Sequence, residues 1–181
     1  MTVSKFLSKS IFVISLLFSI NSFADCNLVS TKDSTPLNIK ALDNDTAEAK
    51  SFLKTCINPY TKIYSQDANA AKAGRKVMTF NGCTGCHGGN LTGLMAPSLV
   101  KSGGTGAFDT KWVYAKNATD KGMFETISGG TPGTSGGQMA VWNVQVKDHI
   151  GDGLTTDEIL KAIAYIRTTY KGDGEKTWLN K

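Results

Sequence analysis

The chain is short of several things that would give it a quick reading. It has two histidines, His87 and His149, in 181 residues, too few for a histidine-built metal cage. It has no cluster or stripe of Lys and Arg with interleaved aromatics; Lys alternates with Asp and Glu along the chain, which excludes a nucleic-acid footprint despite the net charge of +5. No segment shows the alternation of a half-buried strand over enough residues to predict one, and no internal repeat is present. Long apolar runs are also missing. The longest, Ile11 to Ile20, falls well under the roughly 20 residues that a bilayer-spanning helix needs.

That run lies in a segment of its own. Lys5 and Lys9 precede it and Asn21-Ser-Phe-Ala24 follows, the order of charged, apolar and small-residue regions in a secretory signal peptide. Loss of residues 1–24 takes two lysines with it and lowers the surplus from +5 to +3. Export implies a periplasmic chain with no membrane span after cleavage, in a compartment where thiols oxidise. With 40% hydrophobic and 19% charged residues, the remainder has the composition of one globular domain. We divide the chain into a signal peptide at 1–24, a polar N-terminal extension at 25–64 and a domain at 65–181.

Helix signals are few and local. Asp45 and Glu48 form an acidic capping box ahead of a helix ending near Cys56. Ala70, Ala73, Val77 and Phe80 recur at helical spacing within 66–80. Residues 119–128 read as a short helix stopped by Gly129. The strongest signal begins at Thr155, whose capping box with Glu158 is joined by a hydrophobic staple between Leu154 and Ile159. Ile159, Ile163, Ile166 and Tyr170 give that helix its apolar stripe, and Gly172 stops it. Between these elements the chain is rich in Gly, above all from 88 to 106 and from 129 to 138. Such loops need something outside their own secondary structure to fix their path, and a bound cofactor would do so.

The chemistry concentrates at 83–87, Cys-Thr-Gly-Cys-His, the attachment signature of c-type haem. Two thiols separated by two residues can each add to a vinyl group of one porphyrin, and the adjacent His87 is then held beneath the iron as its proximal ligand. A thioredoxin-type pair would sit between a strand and a helix, whereas here a helix precedes and a Gly-rich loop follows. A zinc site would need two further ligands, and the remaining Cys26, Cys56 and His149 do not form a second pair. For the sixth iron position the candidates are Met95, Met123, Met139 and His149. Met95 is close to His87 in sequence, and Met123 falls within a predicted helix at core-like spacing. Met139, on a Gly-rich loop, is favoured, with His149 as the alternative. Cys26 and Cys56, left over in an oxidising compartment, most simply pair with each other. An open-site haem enzyme such as a peroxidase would need a distal acid–base group, for which His149 alone is at hand; a haem-based sensor is a further alternative.

From Ala73 to Tyr170 the sequence resembles class I cytochromes c, and its second half is similar to the cytochrome cL family, the electron acceptors of quinone-dependent methanol dehydrogenases. The likeness rests on Cys83-Thr-Gly-Cys-His-Gly88, Ala96-Pro97-Ser98-Leu99, Trp112-Val-Tyr114, Gly122-Met-Phe-Glu-Thr-Ile-Ser-Gly-Gly130, Gly137-Gln-Met-Ala-Val-Trp142, and Leu154 to Leu160 continuing to Tyr170-Lys-Gly172. It implies an all-α class I cytochrome c fold: a few helices and long Gly-rich loops around one haem c, bound covalently through Cys83 and Cys86. It also implies that the Pro97 carbonyl accepts the Nδ1 proton of His87, that the helix near Gly74 and Val77 crosses the C-terminal helix near Tyr165, and that Met139 is the axial thioether. The link at 131–138 is longer than the family's usual one. The function implied is electron carriage, not catalysis, from a quinoprotein methanol or alcohol dehydrogenase to a downstream cytochrome or oxidase, with a general c-type carrier for another periplasmic dehydrogenase as the alternative.

Overall fold

The computed structural model describes residues 26–62, 68–100, 119–132 and 138–169; the signal-peptide segment, Tyr170 and Gly172 lie outside them. In chain order the elements are α1 (Ala47–Thr55), α2 (Pro59–Lys62), α3 (Ala68–Phe80), α4 (Cys83–His87), α5 (Asp120–Gly129), the two-residue strands β1 (Thr131–Pro132) and β2 (Gln138–Met139), and α6 (Thr156–Thr169). The fold is mostly helical, as expected.

Helix α6 is the hub. Its capping box is formed as the sequence predicts: Glu158 Oε2 accepts from the Thr155 amide at 2.9 Å, and Thr155 Oγ1 accepts from the Glu158 amide at 3.3 Å. Leu154 and Ile159, the staple pair, are both fully buried. Buried side chains run nearly all round the helix, from Ile159 and Leu160 through Ala162, Ile163 and Ala164 to Ile166, because α1, α2, α3 and α5 all pack on it. The closest approach is at Gly74 of α3. A β-carbon there would lie 1.9 Å from the Lys161 carbonyl oxygen and 3.0 Å from the Ala162 nitrogen, so only glycine lets the backbones meet. The crossing thus sits one turn before Tyr165, with Tyr165 packed at the edge of the core.

Helix α1 starts one residue later than the acidic capping box predicts. Thr46, not Asp45, caps it: Thr46 Oγ1 accepts from the Ala49 amide at 3.1 Å while donating to Asp157 of α6 at 2.9 Å. Asp45 turns backward and accepts from the Leu42 amide at 2.8 Å. A threonine hydroxyl can serve both partners at once, whereas a carboxylate can only accept. Asn58 (1% exposed) links α2 to α6, accepting from the Tyr60 amide and donating to the Leu160 carbonyl.

Leu28, Ile39, Phe52, Leu53 and Tyr60 belong to the same buried cluster as Met78, Phe124 and Ile163, so residues 26–62 share one core with the rest. Phe52 of α1 and Phe124 of α5 meet with ring centroids 4.6 Å apart. Cys26 and Cys56 form a disulfide, with Cα atoms 5.2 Å apart.

Two buried polar anchors complete the packing. Arg167 (1% exposed) donates from Nε to Asp120 at 3.0 Å, joining α6 to the start of α5. Burial pushes the Asp120 carboxyl above its ordinary range, against the pull of Arg167. Asp157 gathers Tyr60 Oη at 2.7 Å, Thr46 Oγ1 at 2.9 Å and Lys161 Nζ at 2.6 Å. Burial would raise the Asp157 carboxyl, but these donors together hold it below its ordinary value.

Candidate haem-binding site

Helix α3 ends at Phe80, and a left-handed Gly82 turns the chain directly into α4, which is the Cys83–His87 segment itself. One turn of helix places positions 83, 86 and 87 close together. Cys83 and Cys86 are both free thiols, while the other two cysteines are bonded to each other. Burial pushes the Cys83 thiol up, which keeps it protonated.

The loop after α4 is fixed by its own hydrogen bonds. The Gly93 amide donates to the His87 carbonyl at 2.8 Å and the Ala96 amide to the Cys86 carbonyl at 2.9 Å. Leu91, fully buried, adopts a left-handed backbone with φ of 58°, a conformation that costs a side-chain-bearing residue energy and persists only where its surroundings impose it. Its carbonyl accepts from the Leu99 amide at 2.8 Å and from Ser98 Oγ at 3.3 Å. Residues 88–100 therefore have a path fixed in part by these hydrogen bonds. The product of that path is one contact: His87 donates its Nδ1 hydrogen to the Pro97 carbonyl at 2.8 Å. Burial lowers the His87 pKa, an effect this bond partly offsets. The imidazole is held neutral, oriented, and with Nε2 left for another partner.

Of the other candidates, Met123 is buried in the core at 3% exposure, in keeping with a packing role, and Met95 stands 70% exposed. His149 donates Nδ1 to the Val146 carbonyl at 3.1 Å. Met139 is half-buried against the core. It lies on β2, paired with Thr131 of β1 in a short antiparallel ribbon that sequence alternation was too brief to reveal. Gly130, with φ of +68°, makes this possible: a β-carbon there would lie 2.5 Å from the Met139 carbonyl oxygen. The Gly129-Gly130 pair was legible as a helix stop, but not as the seat of the Met139 backbone.

Two thiols one helical turn apart, followed directly by an imidazole with Nδ1 tied back, have the chemistry of a covalent haem attachment turn. No group of three or more His, Cys, Asp or Glu among the described residues could hold a metal ion without it. The donors present thus fit haem c and do not fit a zinc cage. The family model for cytochrome c matches residues 71–170, more than half of the chain and the whole of this site.

The chain belongs to the cytochrome c family. Within it, this cytochrome is 34% identical over 137 residues to cytochrome c-L of Methylorubrum extorquens, and it spans 57% of the length of that relative. It is 33% identical to the crystal structure of cytochrome cL from the marine methylotrophic bacterium Methylophaga aminisulfidivorans, with a TM-score of 0.62 over 85% of this chain and 88% of that one. The cytochrome cL structure from Hyphomicrobium denitrificans is 30% identical, with a TM-score of 0.62 over 87% and 86%. The cytochrome takes one covalent haem c, and Cys83 and Cys86 fit its attachment pattern. No helix among the described residues is long and apolar enough to cross a membrane.

Proposed function

We propose that this cytochrome is a periplasmic single-haem electron carrier, reduced by a quinone-dependent methanol or alcohol dehydrogenase and oxidised by a downstream cytochrome or oxidase. The observation that carries the reading is the Cys83–His87 turn with His87 locked by Pro97, a ligand set built for fixed geometry. The likeness to cytochromes cL points to the dehydrogenase as donor. The export pattern of residues 1–24 and the Cys26–Cys56 disulfide support an oxidising compartment.

When bound, the haem supplies a one-electron iron couple whose potential depends on its axial ligands and surroundings. The chain's share is to hold that couple still. Cys83 and Cys86 tether it, and His87 presents Nε2 while the Pro97 carbonyl fixes its tautomer. Met139 would supply a thioether to the bound haem, which would favour the reduced state relative to a second imidazole. With His87 and Met139 both holding the bound haem, its iron would have no place left for a substrate, which favours a carrier over a catalyst. Exposed Phe80, Leu94 and Met95 flank the attachment turn in sequence and offer apolar surface for a brief encounter with a partner.

The test is stopped-flow reduction of the oxidised holoprotein by purified quinoprotein alcohol dehydrogenases, alongside its absorption spectrum. Rapid reduction and the weak far-red band of iron–thioether ligation are expected, with loss of the band in Met139→Ala and its retention in His149→Ala. Absence of the band in the wild type, with rapid carbon monoxide binding on reduction, would overturn the carrier reading.

A further inference from the structure

The segment that carries Met139 cannot hold itself in place. Its ribbon is two residue pairs long, far below what stands alone in water, and the sequence from Gly129 to Gln138 is rich in glycine. Just after Met139 the Trp142 amide donates to the Ile127 carbonyl of α5 at 3.2 Å and the Ile150 amide to the Val141 carbonyl at 2.9 Å; residues 26–40 add a restraint from before and after Met139. On the near side, Thr31 Oγ1 donates to the Gly130 carbonyl at 3.0 Å, next to the point where Gly130 presses on the Met139 backbone. Leu37 lies where a β-carbon on Gly129 would touch it at 3.3 Å, and the Val29 amide donates to Glu125 of α5 at 2.8 Å. On the far side, Gln145 makes a reciprocal pair with the Lys40 backbone: its Oε1 accepts from the Lys40 amide at 3.1 Å and its Nε2 donates to the Lys40 carbonyl at 2.9 Å. Gln145 is itself held by Asn143 Oδ1, which accepts from its amide at 2.8 Å. The strap is in turn fastened to α1 by the Cys26–Cys56 disulfide and by the Cys26 amide donating to the Leu53 carbonyl at 2.9 Å.

We propose that residues 26–40 form a disulfide-fastened strap across the Met139 segment, with Thr31 and Gln145 as positioning residues that set how readily the axial thioether leaves the iron. The proposal rests on Met139 being the axial ligand. Neither positioning residue touches the haem ligands; each acts by limiting the movement of the backbone on one side of Met139. Release of the thioether requires that backbone to move, so each lost strap contact raises the population of the released state.

The experiment measures, on oxidised holoprotein, the rate at which imidazole displaces the protein ligand and the pH at which the far-red thioether band disappears. Thr31→Val keeps the shape and removes one donor; loss of a single net hydrogen bond corresponds to about a fivefold faster uptake. Gln145→Ala removes two contacts and is expected to exceed it, as is Cys26→Ser combined with Cys56→Ser. Both changes should bring band loss to lower pH. Tyr60→Phe, which removes one hydrogen bond of the same 26–62 region to α6 and none to the Met139 segment, is expected to lower thermal stability and leave the uptake rate unchanged. Wild-type uptake rates in Thr31→Val and Gln145→Ala, or an equal acceleration in Tyr60→Phe, would overturn the strap. A band missing from the wild type, or one that survives Met139→Ala, would instead overturn the ligand assignment on which the strap rests.

Discussion

Gly74→Ala sets two effects of known sign against each other. In an isolated helix the change is favourable, since alanine is the better helix former by about 1 kcal/mol. In this fold the new β-carbon would stand 1.9 Å from the Lys161 carbonyl oxygen and 2.4 Å from its carbon, roughly 1.5 Å inside the optimal separation of about 3.5 Å. Neither atom belongs to a side chain that can rotate aside, so α3 must shift away from α6. That shift loosens the packing of Ala70, Ala71 and Met78 on α3, all buried. Overpacking of a tight core costs about 1–3 kcal/mol or more, and an encounter between two backbones belongs at the upper end. The clash therefore wins by about 2 kcal/mol, a fall of about 4–8 °C in Tm for a chain of this size. Thermal unfolding of the holoprotein variant, followed by circular dichroism, decides the matter. A Gly74→Ala protein as stable as wild type would refute the claimed crossing.

Two polar predictions follow. The Asp157 carboxyl is held below its unfolded value, so its ionised form stabilises the fold above a pH of about 4, and that contribution is lost as pH falls toward the folded value. The stability gap between wild type and Asp157→Asn should accordingly be largest near neutrality and close on acidification; urea titrations giving a constant gap down to pH 3 would contradict the linkage. Arg167→Met leaves Asp120 buried without its main cation and is expected to cost about 3–5 kcal/mol, whereas adding Asp120→Leu in the same chain should recover most of the loss. If chemical denaturation finds the double variant as unstable as the single one, the pair is not the source of the cost.

What could be read from the sequence was what depends on neighbouring residues. The Thr155–Glu158 box, the Cys83–His87 turn and the buried stripe of α6 all depend on spacings of a few positions, and all are present. The disulfide followed from counting cysteines in a chain read as exported. The Pro97–His87 bond was reachable only through resemblance, because nothing local says which carbonyl of a Gly-rich loop will face a ring nitrogen. Asp45 is the better N-cap by propensity, and the choice goes to Thr46 because Asp157, 111 positions away, takes its hydroxyl hydrogen. Arg167 did leave a trace: it stands four residues after Ile163, on the apolar stripe, where a cation is out of place unless it is paired. Its partner Asp120, 47 positions earlier, reads as an ordinary acidic first-turn residue.

The strap left no such trace. Its contacts to Gly130 and Gln145, on either side of Met139, join residues 99 and 105 positions apart, and Thr31, Leu37 and Lys40 sit in a stretch whose polar, uneven composition suggested an extension laid on the domain. Yet Leu28 and Ile39 from that stretch are buried in the common core. The stretch therefore shares the core of the helices it lies against. The strap and the loop that carries Met139 are each poorly determined alone, and the two become defined together: the loop gives the strap backbone acceptors, and the strap gives the loop a fixed wall. If Met139 holds the iron as proposed, the sequence before α3 acts on that ligand, which makes the response of iron ligation to Thr31→Val the measurement that separates an extension from a working part.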